Sequence, residues 1–160
     1  MMVPNGMVPQ IDEDSLPPIE DGQFSSGAFA REKWGASLYA GFQIIPNVLF
    51  RCQKLLGLDP VEVVVLLNIT THWWEREDLP HPRPSVIAKR MNVSTRTVER
   101  HIVALQRKGF LRRLTPRKKG GRMVRPFDLG GLVEKLKAVS TVNLVRRRMD
   151  RQQPESAGAD

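Results

Sequence analysis

The sequence lacks most of what secreted, membrane-spanning or disulfide-stabilised proteins require. Its single cysteine, Cys52, permits no internal disulfide bond, which is typical of proteins kept in a reducing compartment. No run of about eighteen apolar residues occurs, so no transmembrane helix is expected. The N-terminus also lacks the basic-then-apolar order of a signal peptide. Together these absences predict a cytoplasmic protein.

Arrangements of residues that support catalysis or metal binding are missing as well. The three histidines, His72, His81 and His101, show no metal-ligand spacing with one another or with Cys52. No glycine-rich phosphate loop follows a strand, and the carboxylates of the central region have the positions of helix caps and helix-end charges. We therefore expect no enzymatic activity, no metal and no cofactor, and the sequence indicates no small-molecule substrate.

Positive charge is abundant but unevenly distributed. The chain has 25 Lys and Arg against 17 Asp and Glu, a net charge of +8. From Arg83 to Arg125 there are fourteen basic residues and one acid, Glu99, whereas residues 1–30 hold five acids and no Lys or Arg. A nucleic-acid phosphate backbone would lie against such a basic segment. Acidic lipid or RNA would attract it too, so charge alone decides little.

The basic segment contains a pattern that predicts two short helices joined by a tight turn, over residues 85–109. Ser85 is expected to cap the first helix, and Asn92 tolerates the left-handed conformation that the turn needs. Ser94 is expected to cap the second helix. The apolar residues of that helix fall on one face: Val98, Ile102 and Leu105. This order of features predicts a helix-turn-helix.

A basic hairpin is predicted directly after the second helix. In residues 110–129 two extended runs flank Gly120-Gly121, and a Gly-Gly pair between such runs indicates a turn. With this hairpin as a wing, the chain resembles the bacterial winged helix-turn-helix DNA-binding domain family, found in mobile-element regulators and in plasmid- and phage-type replication proteins. Residues 88–94, 97–102 and 105–113 carry the resemblance, and Asn92 stands where many members have glycine.

The resemblance implies binding of double-stranded DNA. The second helix would enter the major groove and present its first turn to base edges. Base and nearby phosphate contacts are expected from Thr95, Arg96, Thr97 and Arg100, with Ser94 at the phosphate-facing helix start. Wing contacts to phosphates or to the minor groove are expected from Arg117, Lys118, Lys119 and Arg122. The alternative is a two-helix corner of an ordinary helical domain with a solvated charged face.

Three functional hypotheses follow. The first is a sequence-specific transcriptional regulator, in keeping with a mobile element. The second is a plasmid- or phage-type replication initiation or accessory protein; it ranks lower because such proteins usually carry a second winged domain or a helicase-contacting region. The third is a protein-interaction module, which the concentration of basic residues disfavours.

The predicted fold class is mainly α with a small β-hairpin, in four parts. Residues 1–36 form a disordered acidic tail, which either competes with DNA for the basic domain or is simply solvated. Residues 37–128 form the winged helix-turn-helix domain, 129–152 a basic C-terminal helix and 153–160 a loose tail. Within the domain, 38–45 is predicted to be extended and 46–56 helical, with a further helix over 60–77 that begins at the cap Asp59. The expected central core of that last helix is Val61, Val64, Val65, Leu67 and Ile69.

The C-terminal helix carries a long apolar seam, with an interruption expected near Ser140-Thr141. Its residues follow a spacing close to that of a coiled coil: Leu132, Leu136, Val139, Val142, Val145 and Met149. One interpretation is a homodimer that binds an inverted repeat through two-fold pairing of this helix. The other is that the half up to Val139 packs back on the domain and the Arg-rich half is solvated or contacts DNA.

Overall fold

The computed structural model describes the backbone of residues 27–152 and the side chains of residues 30 and 32–142. The described chain is mainly helical, with a small antiparallel hairpin region and a C-terminal helix, as predicted. Its helices are α1 (Gly27–Trp34), a 3-10 helix (Gly35–Ala40), α2 (Val48–Arg51), α3 (Pro60–Thr70), α4 (Pro84–Met91), α5 (Thr95–Arg107) and α6 (Gly130–Gln152). Its strands are β1 (Arg112–Arg113), β2 (Arg117–Lys119), β3 (Arg122–Val124) and β4 (Phe127–Asp128).

Helix α3 begins at the predicted cap. The Asp59 carboxylate accepts a hydrogen bond from the Glu62 backbone N–H at 2.8 Å, and the Asp59 N–H donates to the Glu62 carboxylate at 2.9 Å. The helix ends at Thr70 and does not reach residue 77 as predicted. The Thr71 hydroxyl donates to the Leu67 carbonyl at 2.8 Å beside the Thr71 N–H at 3.0 Å, and the Thr70 hydroxyl lies 3.0 Å from the same oxygen.

The core lies between α3, α4 and α5 and is closed by α6. Val65 and Ile69 of α3 are fully buried, whereas Val61 and Leu67 are partly buried against the core. The prediction for Val64 was wrong, because its side chain is 41% exposed on the opposite face of α3. The predicted stripe of α5 is confirmed, with each residue no more than 1% exposed: Val98, Ile102 and Leu105.

The turn between α4 and α5 has the predicted left-handed residue, since Asn92 has φ 54° and ψ 44°. The prediction for Ser85 was wrong. Helix α4 starts two residues earlier, with Arg83 at the N-cap and Pro84 as first helical residue. Proline is favoured there because its fixed φ suits the helix and its missing N–H costs no hydrogen bond.

The hairpin predicted around Gly120-Gly121 is confirmed. Both glycines have positive φ, 56° and 75°, at the turn between β2 and β3. Below the wing, β1 pairs with β4 as a two-stranded stem. The stem is held to the domain because the Phe127 N–H donates to the Pro80 carbonyl at 2.8 Å, just before α4.

The first half of the proposed dimer seam on α6 is buried within its own chain. Leu132 and Leu136 belong to the main core, and Val139 packs with buried Cys52 against α2. This half therefore cannot serve as the predicted pairing seam, and the fold-back interpretation applies to it. The helix continues through residues 140–141, so the expected interruption was wrong. The side chains of Val145 and Met149 lie outside the described set.

The N-terminal predictions need correction where the structure describes them. Residues 27–36, assigned to the tail, form α1 and the start of the 3-10 helix. Residues 38–45, predicted to be extended, continue that 3-10 helix to Ala40 and then run without regular structure. The helix expected over 46–56 is regular only in α2 and then becomes turns. The rest of the acidic tail and the C-terminal tail lie outside the described residues.

Within residues 27–152, no helix combines the length and apolar character needed to cross a bilayer.

Candidate nucleic-acid interface

The start of α5 is fixed by a hydroxyl pair. Ser94 Oγ accepts a hydrogen bond from the Thr97 N–H at 3.0 Å and lies 2.9 Å from Thr97 Oγ1. Ser94 is therefore the N-cap that the sequence predicted, and half-buried Thr97 completes the cap. Because both hydroxyls are engaged with each other, these two residues hold the helix start in place. Thr95 lies between them in the sequence and is exposed.

Two arginines share the exposed face of α5 near its start. Arg96 and Arg100 are four residues apart, so their side chains project from the same side of the helix. Both are exposed, and within the described side chains neither has a hydrogen bond or an ion pair. The free N–H groups and the dipole of a helix N-terminus favour an anion at this end. This face can therefore offer two guanidinium groups to phosphates or guanine bases.

The one acid within the basic segment, Glu99, is paired with an arginine of the stem. Arg113 Nη1, in the stem strand β1, donates to Glu99 Oε2 at 2.8 Å. The Arg113 N–H also donates to the Gln106 side chain at 3.0 Å, and its guanidinium lies 5.6 Å from the centre of the Phe127 ring. These contacts neutralise Glu99 and fix the stem of the wing against α5. The wing is thus held at a defined position relative to the two arginines.

The strand register divides the four predicted wing residues between two faces. Arg117 pairs with Val124, Lys118 with Met123 and Lys119 with Arg122. Since side chains alternate along a strand, Lys118 lies on one face and the other three share the opposite face. All four are exposed.

Lys119 is not free in this arrangement. Its ammonium forms an ion pair with Asp78, in the loop between α3 and α4. The hydrogen bond from Lys119, with the nearby charges of Lys119, His81 and Arg117, holds the pKa of Asp78 below its ordinary value. Asp78 is thus ionised at neutral pH and lies where it competes with a phosphate for Lys119. Nothing in the sequence pattern indicated this contact, which joins residues 41 positions apart.

Lys108 contributes to the basic count of the segment but is held by the protein itself. Its ammonium donates to both carboxylate oxygens of Glu62 and to the Gly57 carbonyl, each at 2.7 Å. Glu62 is 2% exposed, so this pair ties the end of α5 to the first turn of α3. The charge available to a nucleic acid is therefore smaller than the sequence count suggests.

The same corner holds one group of potential metal-ligating side chains, which the sequence did not indicate. Three potential ligand atoms lie within 4.8 Å of one another, one from each of Asp59, Glu62 and His101. His101 Nδ1 is 3.7 Å from Asp59 Oδ2, and the Lys108 ammonium already satisfies both oxygens of Glu62. A cationic side chain thus occupies the position next to the buried carboxylate, and we assign this group to the packing of α3 on α5.

Comparison with known proteins identifies the family of this domain. The model of the DnaD N-terminal domain matches residues 45–146. The chain is also similar to a crystal structure of the N-terminal domain of DnaD protein from Geobacillus kaustophilus HTA426. The similarity has a TM-score of 0.53 and 25% identity, and covers 74% of this chain and 96% of that one. None of the curated proteins matches the chain.

Proposed function

Since this chain belongs to the DnaD N-terminal domain family, we propose that it is a replication-related protein that binds double-stranded DNA through α5 and the wing. The observation that carries the proposal is the start of α5. Two exposed arginines stand beside a capped helix terminus, and the neighbouring acid Glu99 is held by Arg113. We further propose that the protein is not an enzyme and that it acts in the cytoplasm.

A role in replication takes precedence over transcriptional regulation, which led the hypotheses drawn from the sequence. The family assignment supports the replication alternative, and nothing in the comparisons speaks for a regulator or for a mobile element. A genome-wide recovery of bound DNA separates the two. Recovery concentrated at a replication origin, with loss of origin firing on deletion, supports replication, and recovery at promoters alone contradicts it.

The division of labour between helix and wing is tested by two substitutions. Arg96→Ala removes a group placed to reach base edges, so it should alter sequence preference at a cost of about 1–3 kcal/mol for the preferred site. Lys118→Ala removes an exposed charge from the wing, so it should weaken binding to all sequences alike and reduce the salt dependence. Fluorescence anisotropy on duplexes over a range of salt measures both effects. Equal, non-selective losses would contradict this assignment.

A protein-interaction role is the remaining candidate for this domain. It would be supported if the parent protein bound no duplex DNA while a partner remained bound after replacement of Arg96 and Arg100. The exposed, unpaired guanidinium groups favour DNA instead. Every DNA backbone supplies phosphates that neutralise them, whereas a protein partner would need carboxylates placed to pair with both.

We also propose that the protein acts as a homodimer. A single winged helix covers a short DNA site, and two-fold pairing is a common way to extend it. The inward half of α6 is excluded as the pairing surface, since Leu132 and Leu136 are buried in the core of their own chain. Light scattering on the full chain, well above its DNA-binding concentration, tests the proposal, and a monomer there would contradict it.

A further inference from the structure

The two strands of the wing carry one large apolar side chain that the described domain leaves mostly uncovered. Met123 lies in β3, is 60% exposed and belongs to neither buried cluster of the core. The other residues of β2 and β3 are four cations and half-buried Val124, with no acid among them. Scattered exposed apolar residues are ordinary on a protein surface. This one, however, lies among positive charges on a segment placed to meet DNA.

The strand register puts Met123 on the same face of the wing as Lys118. The two residues pair directly across the hairpin, and directly paired side chains lie on one face of a β-ribbon. The other three basic residues of the wing therefore lie on the opposite face. That opposite face contacts the domain, because the Lys119 ammonium pairs with Asp78. The face of Lys118 and Met123, which we call the methionine face, is thus directed away from this contact.

The wing stands at a fixed position beside α5. Its stem is held against α5 by the ion pair between Arg113 and Glu99 and by the hydrogen bond from the Arg113 N–H to Gln106. With α5 in the major groove, an element beside it meets a phosphate backbone and then the minor groove. That groove is only about 6 Å wide, about half the width of the major groove. A single side chain near the turn of the wing can therefore enter it more readily than a whole ribbon.

We propose that Met123 is an apolar wedge that enters the minor groove beside α5 and partly inserts at one base step. The wedge rests on the proposed duplex binding and adds to it a residue that determines specificity. An inserted apolar side chain partly unstacks the step and kinks the duplex. Methionine suits such a site because its side chain is unbranched and flexible. Lys118, on the same face, pairs with a phosphate that flanks the step.

A wedge of this kind reads the stiffness of DNA and not the hydrogen-bonding groups of the bases. The thioether of Met123 has no hydrogen-bond donor and is only a weak acceptor. Pyrimidine–purine steps such as TA unstack easily, whereas A-tracts are stiff. The wing should therefore add a preference for flexible steps beside the sequence that α5 contacts, at base pairs that no polar side chain reads.

An anionic membrane is the other surface that attracts cations and an apolar side chain together. Membrane binding strengthens with the apolar area that is buried in the bilayer. Within β2 and β3, Met123 is the one strongly exposed apolar side chain. A single methionine offers little area to a bilayer, whereas a single side chain suffices to open one base step. These observations favour a DNA duplex.

The first test compares two synthetic duplexes of equal length and A·T content, one of alternating TA steps and one of A-tracts. In fluorescence anisotropy the parent should bind the alternating duplex more tightly. Met123→Ala should reduce this preference by about threefold to twentyfold, the value of burying the exposed 60% of a methionine side chain. Met123→Leu keeps the apolar bulk and should retain the preference. Because α5 is identical in the three proteins, its contribution to the affinity ratio cancels.

Two control variants separate the wedge from charge and from damage to the fold. Lys118→Ala should weaken binding to both duplexes by the same factor, because both carry the same phosphates. Val64→Ala shortens an apolar side chain of α3 that is 41% exposed, and it should change neither affinity. The thermal unfolding of Met123→Ala should coincide with that of the parent, because the side chain is mostly exposed in the unbound protein.

A second measurement reports the kink itself. Energy transfer between dyes at the two ends of the alternating duplex should rise when the parent binds. At saturation with Met123→Ala it should stay near the value of free DNA. An affinity ratio equal to that of the parent, or an equal kink, in Met123→Ala would overturn the wedge and leave duplex binding standing.

Two other outcomes would also overturn the wedge. A parent protein that binds neither duplex would overturn duplex binding as well. Binding to phosphatidylglycerol vesicles that is lost in Met123→Ala, with an unchanged ratio of duplex affinities, would assign the methionine face to a membrane.

Discussion

Lys108→Met tests whether this lysine of the basic segment stabilises the fold or contributes to DNA binding. The substitution keeps the length of the side chain but removes the ammonium that neutralises Glu62, which is 2% exposed. Breaking a buried ion pair by removing one partner costs about 3–5 kcal/mol. Because the Lys108 side chain is 38% exposed, water can reach part of the site, and we expect a loss of about 2–3 kcal/mol.

The assay is urea unfolding followed by far-UV circular dichroism, with thermal unfolding beside it. A loss of this size should lower the melting temperature by roughly 5–10 °C in a domain of this length. Arg107→Met is the matched control, since Arg107 is an exposed neighbour on α5 and its replacement should change stability by less than about 0.5 kcal/mol. DNA affinity, measured where both variants are folded, should be unchanged in Lys108→Met. Undiminished stability together with weaker DNA binding in Lys108→Met would refute the structural assignment.

Three further predictions concern the wing and α6. Gly131→Ala should destabilise the protein by roughly 1–3 kcal/mol or more in urea unfolding, because the added Cβ would overlap the backbone carbonyl oxygen of Gly109. Gly130→Ala is the control and should cost less, because its added Cβ would contact only a side chain. Asp78→Asn should release Lys119, tighten binding to any duplex severalfold and steepen the salt dependence by up to about one unit; weaker binding in anisotropy would contradict this. Hydrogen bonds from the Arg112 guanidinium and from the Gly130 N–H lower the pKa of Asp128. The ionised carboxylate therefore stabilises the folded state fully above the ordinary carboxyl pKa, and this contribution is lost as pH falls through the lowered value. Acid unfolding of Asp128→Asn should therefore show a shallower loss of stability below about pH 4 than the parent, and an identical acid profile would exclude the contribution.

The parts of the fold that the sequence predicted are those specified by local chemistry. Asn92 supplies a left-handed turn, Ser94 a cap and Gly120-Gly121 a positive-φ turn, and each acts on backbone within a few residues. The start of α3 at Asp59 belongs to the same class. Ser85 was misassigned because Pro84 is equally suited to begin a helix and moves the N-cap two residues earlier, to Arg83.

The parts that the sequence did not predict depend on distant partners. Lys108 and Glu62 are 46 positions apart, and only the packing of α5 on α3 brings them together. Likewise, the spacing of apolar residues along α6 does not show whether Leu132 and Leu136 pack against a second chain or against the core of their own chain. Both kinds of packing require the same spacing of apolar residues along the helix. The same limit applies to Lys119, one of the predicted DNA-contact residues, because its partner Asp78 lies in another loop.

Whether α5 reads DNA sequence is measured by selecting bound duplexes from a random library with the parent protein and with Arg96→Ala. We expect the parent to enrich a defined sequence, and Arg96→Ala to lose the preference at one or two adjacent base pairs while still binding duplex DNA. Enrichment of the same sequence by both proteins, or no enrichment of duplex DNA by the parent, would contradict the assignment of α5 as the helix that reads DNA.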